Sequence, residues 1–131
     1  MDQLSRKASV IGAGTPPARA PRRPSAREAG TKHEFSLAHL TVMGCPPPEM
    51  IDIAARAGCG CVSVRTIFMG LPGEPDYGLA RNPELLAKTR RALESTGVRL
   101  HDIELARVKE GVDPKSCVPE FEVAARLGAR A

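Results

Sequence analysis

Tryptophan is absent from this 131-residue chain, tyrosine occurs once and phenylalanine three times. Platforms that stack single-stranded nucleic acids need several aromatic side chains, so that class of partner is disfavoured at the outset. No run approaches the roughly 18 consecutive apolar residues of a membrane span, and the first residues lack the apolar segment of a secretory signal. The expectation is a cytoplasmic protein with no membrane partner. There is no Ser/His/Asp set, no HExxH pair and no phosphate-binding loop, which argues against nucleophilic triads and phosphoryl transfer. Cys45, Cys59, Cys61 and Cys117 form neither a C-x-x-C pair nor a zinc-ribbon spacing and read as reduced, mostly buried thiols.

A net charge of +4 suggests a polyanionic partner until it is divided along the chain. Residues 1–34 hold 7 Lys/Arg against 3 Asp/Glu, a balance of 7 − 3 = +4, and the remaining 12 basic and 12 acidic residues cancel. All the excess lies in the first segment, so the rest has no electrostatic footprint for a nucleic acid. That segment, residues 1–34, reads as a disordered Pro/Arg-rich extension: Pro16, Pro17, Pro21 and Pro24 interrupt any helix, and only Val10 and Ile11 are strongly apolar.

From Phe35 the texture changes, and three units of one kind follow. Phe35–Val42 is an apolar, strand-compatible run, followed by a helix opened by Pro46, Pro47 and Pro48, striped by Met50, Ile53, Ala54 and Ala57, and stopped at Gly58. The second unit pairs a strand over Cys61–Arg65 with a helix over Pro83–Thr96, capped by Asn82, striped by Leu85, Leu86, Thr89 and Leu93, and closed by Gly97. The third has a strand over Val98–Leu105 and a helix ending near Leu127 that carries Phe121, Ala124 and Ala125. Tight helix-to-strand joins and long strand-to-helix joins predict parallel βα repetition. The Gly/Pro-rich join Thr66–Arg81 is long enough to be a lid or binding loop.

The runs FSLAHLTVMGCPPPEMIDIAARAG, VSVRTIFMGLPGEP, TGVRLHDIELARV and EFEVAARLGAR resemble the N-terminal part of sugar phosphate isomerase/epimerases with a xylose-isomerase-like TIM barrel. The resemblance covers residues 35–131 and implies an α/β fold, a partial (β/α)8 barrel of about three βα units. It implies metal-dependent isomerisation or epimerisation of a small sugar, sugar phosphate or polyol, with a divalent cation (Mn, Mg or Zn) held by side chains from later strands. A complete barrel takes about 250 residues, whereas this segment has 131 − 34 = 97. The chain therefore reads as a truncated member that does not fully ligand the metal and lacks activity as an isolated piece. The alternative is a non-catalytic interaction module in which the partial sheet completes itself by pairing with another chain, self-association through the open sheet included.

Strand alternation turns Val62 and Val64 toward the helices and Ser63 and Arg65 toward the barrel interior. Arg65 is a candidate for binding a substrate carboxylate or phosphate, or for an interior salt bridge to Glu104. Glu104, expected in phase with Leu100 and Asp102, is the candidate catalytic group, a hydrogen-bonding or proton-transferring carboxylate at the barrel mouth, or else a structural partner of Arg65 or Arg107. His39 is a candidate substrate-binding residue, and His101 a weaker one; each also suits a satisfied histidine within a strand. No metal ligand is assigned. Limited proteolysis is expected to cut after Arg19, Arg22, Arg23 or Arg27 well before any site in 35–127, and protection of those arginines would overturn the assignment of the extension.

Overall fold

A computed structural model describes residues 33–130, so nearly all of the extension assigned to 1–34 lies outside the described residues. From there the chain alternates strand and helix: β1 (Ser36–Ala38), α1 (Pro47–Ala57), β2 (Cys61–Val64), α2 (Pro83–Thr96), β3 (Arg99–Ile103) and α3 (Val118–Arg126). The three strands form one parallel sheet in the order β1-β2-β3. The expected α/β class and its three βα units are thus present. No helix among the described residues is long and apolar enough to cross a membrane.

Local chemistry sets the helix limits. Pro47 and Pro83 take first-turn positions, where a missing N–H costs nothing. The Asn82 side chain accepts the Leu85 N–H at 3.0 Å, and Glu84 and Lys88 pair one turn apart. Gly58 (φ 77°) and Gly97 (φ 72°) end their helices in the left-handed conformation that a side chain would strain.

All three helices pack on one face of the sheet. Met50, Ile51 and Ala54 of α1, Ala92 and Leu93 of α2 and Ala124 of α3 form a single core with Val62, Val64, Val98 and Leu100. The opposite face carries Ser36, Ala38, Ser63 and Asp102 in register, with the Ser36 and Ser63 hydroxyls 3.3 Å apart.

Four expectations need correction. The first strand is three residues long, because the chain tightens into a 3₁₀ turn at His39–Val42, stabilised by the Thr41 hydroxyl on the Ala38 carbonyl at 2.6 Å. The α1 stripe runs through Met50, Ile51 and Ala54, with Ala57 exposed, since Ile51 joins the buried core. The α3 stripe runs through Glu120, Val123 and Ala124, leaving Phe121 45% exposed and Ala125 at the surface. Leu100 faces the helices. It pairs with Val62, but the next pairing joins Ser63 to Asp102, leaving His101 unpaired in a β-bulge. The bulge breaks the alternation, so Leu100 and Ile103 take the helix side while Asp102 takes the open side. His101 is accordingly exposed, and its carbonyl accepts the Arg130 N–H at 3.0 Å, so the chain after α3 runs back beside β3.

Met50 and Ile51 are inaccessible to solvent at the centre of this core. Ile51→Ala is expected to cost about 2–5 kcal/mol, a large part of the stability of so small a domain, and Asn82→Ala about 1 kcal/mol. Urea unfolding checks both; a loss at Ile51 smaller than at Asn82 would contradict this account of the core.

Candidate functional site

His39 stands where β1 gives way to the 3₁₀ turn and is 1% exposed. Both ring nitrogens are engaged: Nδ1 accepts the Arg65 backbone N–H at 2.9 Å, and Nε2 donates to the Cys45 carbonyl at 2.8 Å. Those roles define the neutral tautomer with its proton on Nε2. Tyr77, the only tyrosine of the chain, stacks on the imidazole at 5.5 Å with the rings 9° from parallel, and its hydroxyl donates to the Gly44 carbonyl at 3.0 Å. Burial, the largest cause, pushes the His39 pKa below 6.5; the Arg65 charge acts the same way, against the Cys45 bond and the Glu104 charge. With both ring nitrogens engaged, His39 holds the Arg65 backbone and the Cys45 turn in place.

Arg65, 5% exposed, follows β2 directly. The expected salt bridge to Glu104 is not formed. Arg65 Nε lies 3.0 Å from Glu74 Oε1, an ionic contact without hydrogen-bond alignment, and Nη1 lies 3.4 Å from Met43 Sδ. Glu74 comes from the long join before α2, and its other oxygen accepts the N–H groups of Met69 (3.1 Å) and Leu71 (3.0 Å). Burial pushes the Glu74 pKa up, but the Leu71 and Met69 donors and the Arg65 charge more than offset it and hold the carboxyl below 4.5. A further anchor comes from α3: the buried Glu120 accepts the N–H groups of Leu79 (3.2 Å) and Ala80 (3.1 Å). The join is therefore tied down at Glu74, Tyr77 and Glu120. Sequence reasoning missed Glu74 and Tyr77; a lone tyrosine in a Gly/Pro-rich join was the available signal.

Glu104, one residue past β3, sits abreast of Arg65, because its N–H donates to the Val64 carbonyl at 2.8 Å. Its partner is neither Arg65 nor Arg107: Oε1 accepts the Leu40 N–H at 3.3 Å. Its Oε2 is buried with no partner, and so are Arg65 Nη2, Thr66 Oγ1 and Asp102 Oδ1. Buried polar atoms are nearly always paired, so several orphans at one end of a sheet call for an explanation. All four residues lie at or just past the carboxyl ends of β2 and β3, the end where parallel α/β folds bind ligands. Of these four only Thr66 lines a cleft, one of about 390 Å³ that it shares with Asp76, Arg81, Ser116 and Glu120.

The donor set does not suit the divalent cation that the resemblance implies. Among the described residues no three His, Cys, Asp or Glu side chains come together to hold a metal ion. His39 has both nitrogens engaged and Glu74 is committed to Arg65 and two amides. The cysteines are free thiols; Cys61 is buried, while Cys45, Cys59 and Cys117 are half-buried.

Fold and site together define an α/β protein of parallel βα units whose unpaired buried polar atoms lie at the carboxyl edge of the sheet. Comparisons with family models, curated proteins and solved structures find no match to the chain.

Because the folded state resists protonating His39, the unfolded chain binds more protons below pH 6.5, the ordinary value for this group. The stability contributed by His39 is full above 6.5 and is lost as pH falls below it; Glu74, held below 4.5, acts only in more acid solution. The urea midpoint is expected to drop between about pH 7.5 and pH 5, and the drop to shrink in His39→Gln. An equal drop in the variant would remove His39 as its cause.

Proposed function

We propose that the chain carries the opening βα units of a (β/α)8 barrel of the sugar phosphate isomerase/epimerase kind, with the carboxyl end of its sheet binding a small sugar or polyol. The observation that carries this reading is the set of buried, unpartnered donors and acceptors at that end, Arg65 Nη2, Thr66 Oγ1 and Glu104 Oε2. In-order parallel strands with every helix on one face are also what the start of such a barrel requires. Three strands cannot close a barrel, so the complete activity would need further strands.

In that reading Arg65 Nη2 donates to the carbonyl oxygen of the open-chain sugar. The Glu104 carboxylate takes the proton from the adjacent hydroxyl-bearing carbon, and the proton of that hydroxyl passes to the former carbonyl oxygen. Glu104 returns its proton to the former carbonyl carbon, leaving the carbonyl on the neighbouring position. Charge gathers on the sugar oxygens between the two transfers, where the guanidinium stabilises it. His39 and Glu74 fix the Arg65 backbone and side chain.

A second reading, self-association as a non-catalytic module, is favoured by Phe35 and Leu40, which are 69% and 52% exposed beside β1. Among the described residues β1 pairs on one side only, leaving an edge open to a second copy.

Titration of ¹⁵N-labelled chain with D-fructose is expected to shift the amides of Leu40, Arg65 and Thr66 saturably. Glu104→Gln should weaken binding about tenfold, the usual loss for a hydrogen bond to a charged group. Absence of shifts at those amides would sink the carbohydrate reading, and concentration-dependent broadening without sugar would favour the module.

A further inference from the structure

Of the eight large apolar side chains left exposed among the described residues, four line one pair of clefts: Phe68, Val108, Val112 and Phe121. Val108 is 79% exposed and Val112 50%. The clefts measure about 230 and 140 Å³ and share Arg107, Val112, Ser116 and Cys117 as common walls. Phe68 and Met69 belong to the larger, Val108 and Phe121 to the smaller. Apolar exposure gathered in this way marks an interaction surface, whereas single scattered residues do not.

Both sides of the clefts are shaped by the chain itself. In the join before α3 the Val112 N–H donates to the Lys109 carbonyl at 3.2 Å, and the Asp113 carboxylate accepts the Lys115 N–H at 2.9 Å, opening a 3₁₀ turn over Pro114–Cys117. In the join before α2 the Glu74 carboxylate holds the Met69 N–H at 3.1 Å. Walls fixed in advance leave less conformational freedom to be lost on binding.

The charge on these walls has one sign. Arg107 lines both clefts and Lys109 the larger, and no Asp or Glu lines either. Neither cation has an ion-pair partner among the described residues. The nearest acids in sequence are committed elsewhere or turned away: Asp113 to the Lys115 amide, Glu120 to the Leu79 and Ala80 amides, while Glu110 lines neither cleft. Size then separates the kinds of occupant. Pockets for small molecules begin at about 300 Å³, and each cleft falls short of that. Two adjoining holes of this size suit two apolar side chains of one short chain, the way anchors three or four residues apart dock in a groove.

We propose that these clefts dock a short acidic peptide segment of a partner protein, with one apolar anchor side chain in each cleft and Asp or Glu residues against Arg107 and Lys109. The site is separate from the carbohydrate reading, since Arg65, Asp102 and Glu104 line neither cleft.

The test is selection from a random dodecapeptide library on the immobilised full chain, followed by titration of the enriched peptides as fluorescein conjugates. Enriched peptides are expected to carry two apolar residues spaced by about three or four positions among Asp and Glu. Their affinity should fall at least about tenfold in the double variant Arg107→Glu/Lys109→Glu and about tenfold in Val112→Asp, and should not change in Phe35→Ser, an exposed apolar position that lines neither cleft. The substituted cleft positions are exposed, and thermal unfolding checks each variant; a salt titration of the wild-type chain, in which affinity must fall with ionic strength, decides the charge requirement even if a variant misfolds. No enrichment, enrichment of basic peptides, or binding indifferent to the charge reversal in a normally folded variant overturns the proposal. So does sedimentation with phosphatidylserine vesicles that Val108→Asp abolishes while no peptide is selected, which would make the patch a membrane contact, or a concentration-dependent dimer lost in the same variant, which would make it a contact between copies.

Discussion

A buried, neutral imidazole is the joint on which the carboxyl end of this sheet depends. Through Nδ1 it holds the Arg65 backbone at the end of β2, through Nε2 it fixes the turn leading into α1, and through its face it seats Tyr77 of the join before α2. Three segments distant in sequence thereby meet on one ring. An ammonium or guanidinium could not serve, because neither accepts a hydrogen bond; a carboxamide could bond twice but would offer a smaller face to the tyrosine. The arrangement needs the proton on Nε2 alone, which the dry surroundings favour.

From that joint the remaining polar order follows. With its backbone pinned, Arg65 reaches Glu74, and Glu74 closes the turn at Met69–Leu71 on its other oxygen. A buried ion pair seldom adds much stability, since desolvation consumes most of the attraction. This one organises geometry: it gives a Gly/Pro-rich stretch a fixed point near its middle. A segment of that composition would otherwise have little reason to prefer one conformation.

The repeating plan was legible because it depends on local chemistry. Pro47, Pro83, Asn82, Gly58 and Gly97 mark helix ends by their own conformational limits, and the apolar β2 run needs no distant partner to be recognised. The stripes of α1 and α3 were legible only in part. Which of Ile51 and Ile53, or Phe121 and Val123, turns inward depends on the angle at which each helix lies against the sheet, and neighbouring residues in a pattern cannot decide that. Of the candidate residues, position was legible and partners were not. Position along a strand placed Arg65 and Glu104 at the carboxyl end, but their partners, Glu74 and the Leu40 amide, come from loops whose paths the pattern does not encode.

The bulge at His101 has an implication for the length of the chain. Removing that one residue would leave Val98, Leu100 and Ile103 on the core side and Arg99, Asp102 and Glu104 on the other in plain alternation. Loss of Ile103 instead would bring a carboxylate, Asp102 or Glu104, to the core-facing position. β3 can therefore change length at the bulge, between the core-facing Leu100 and Ile103, with both faces intact.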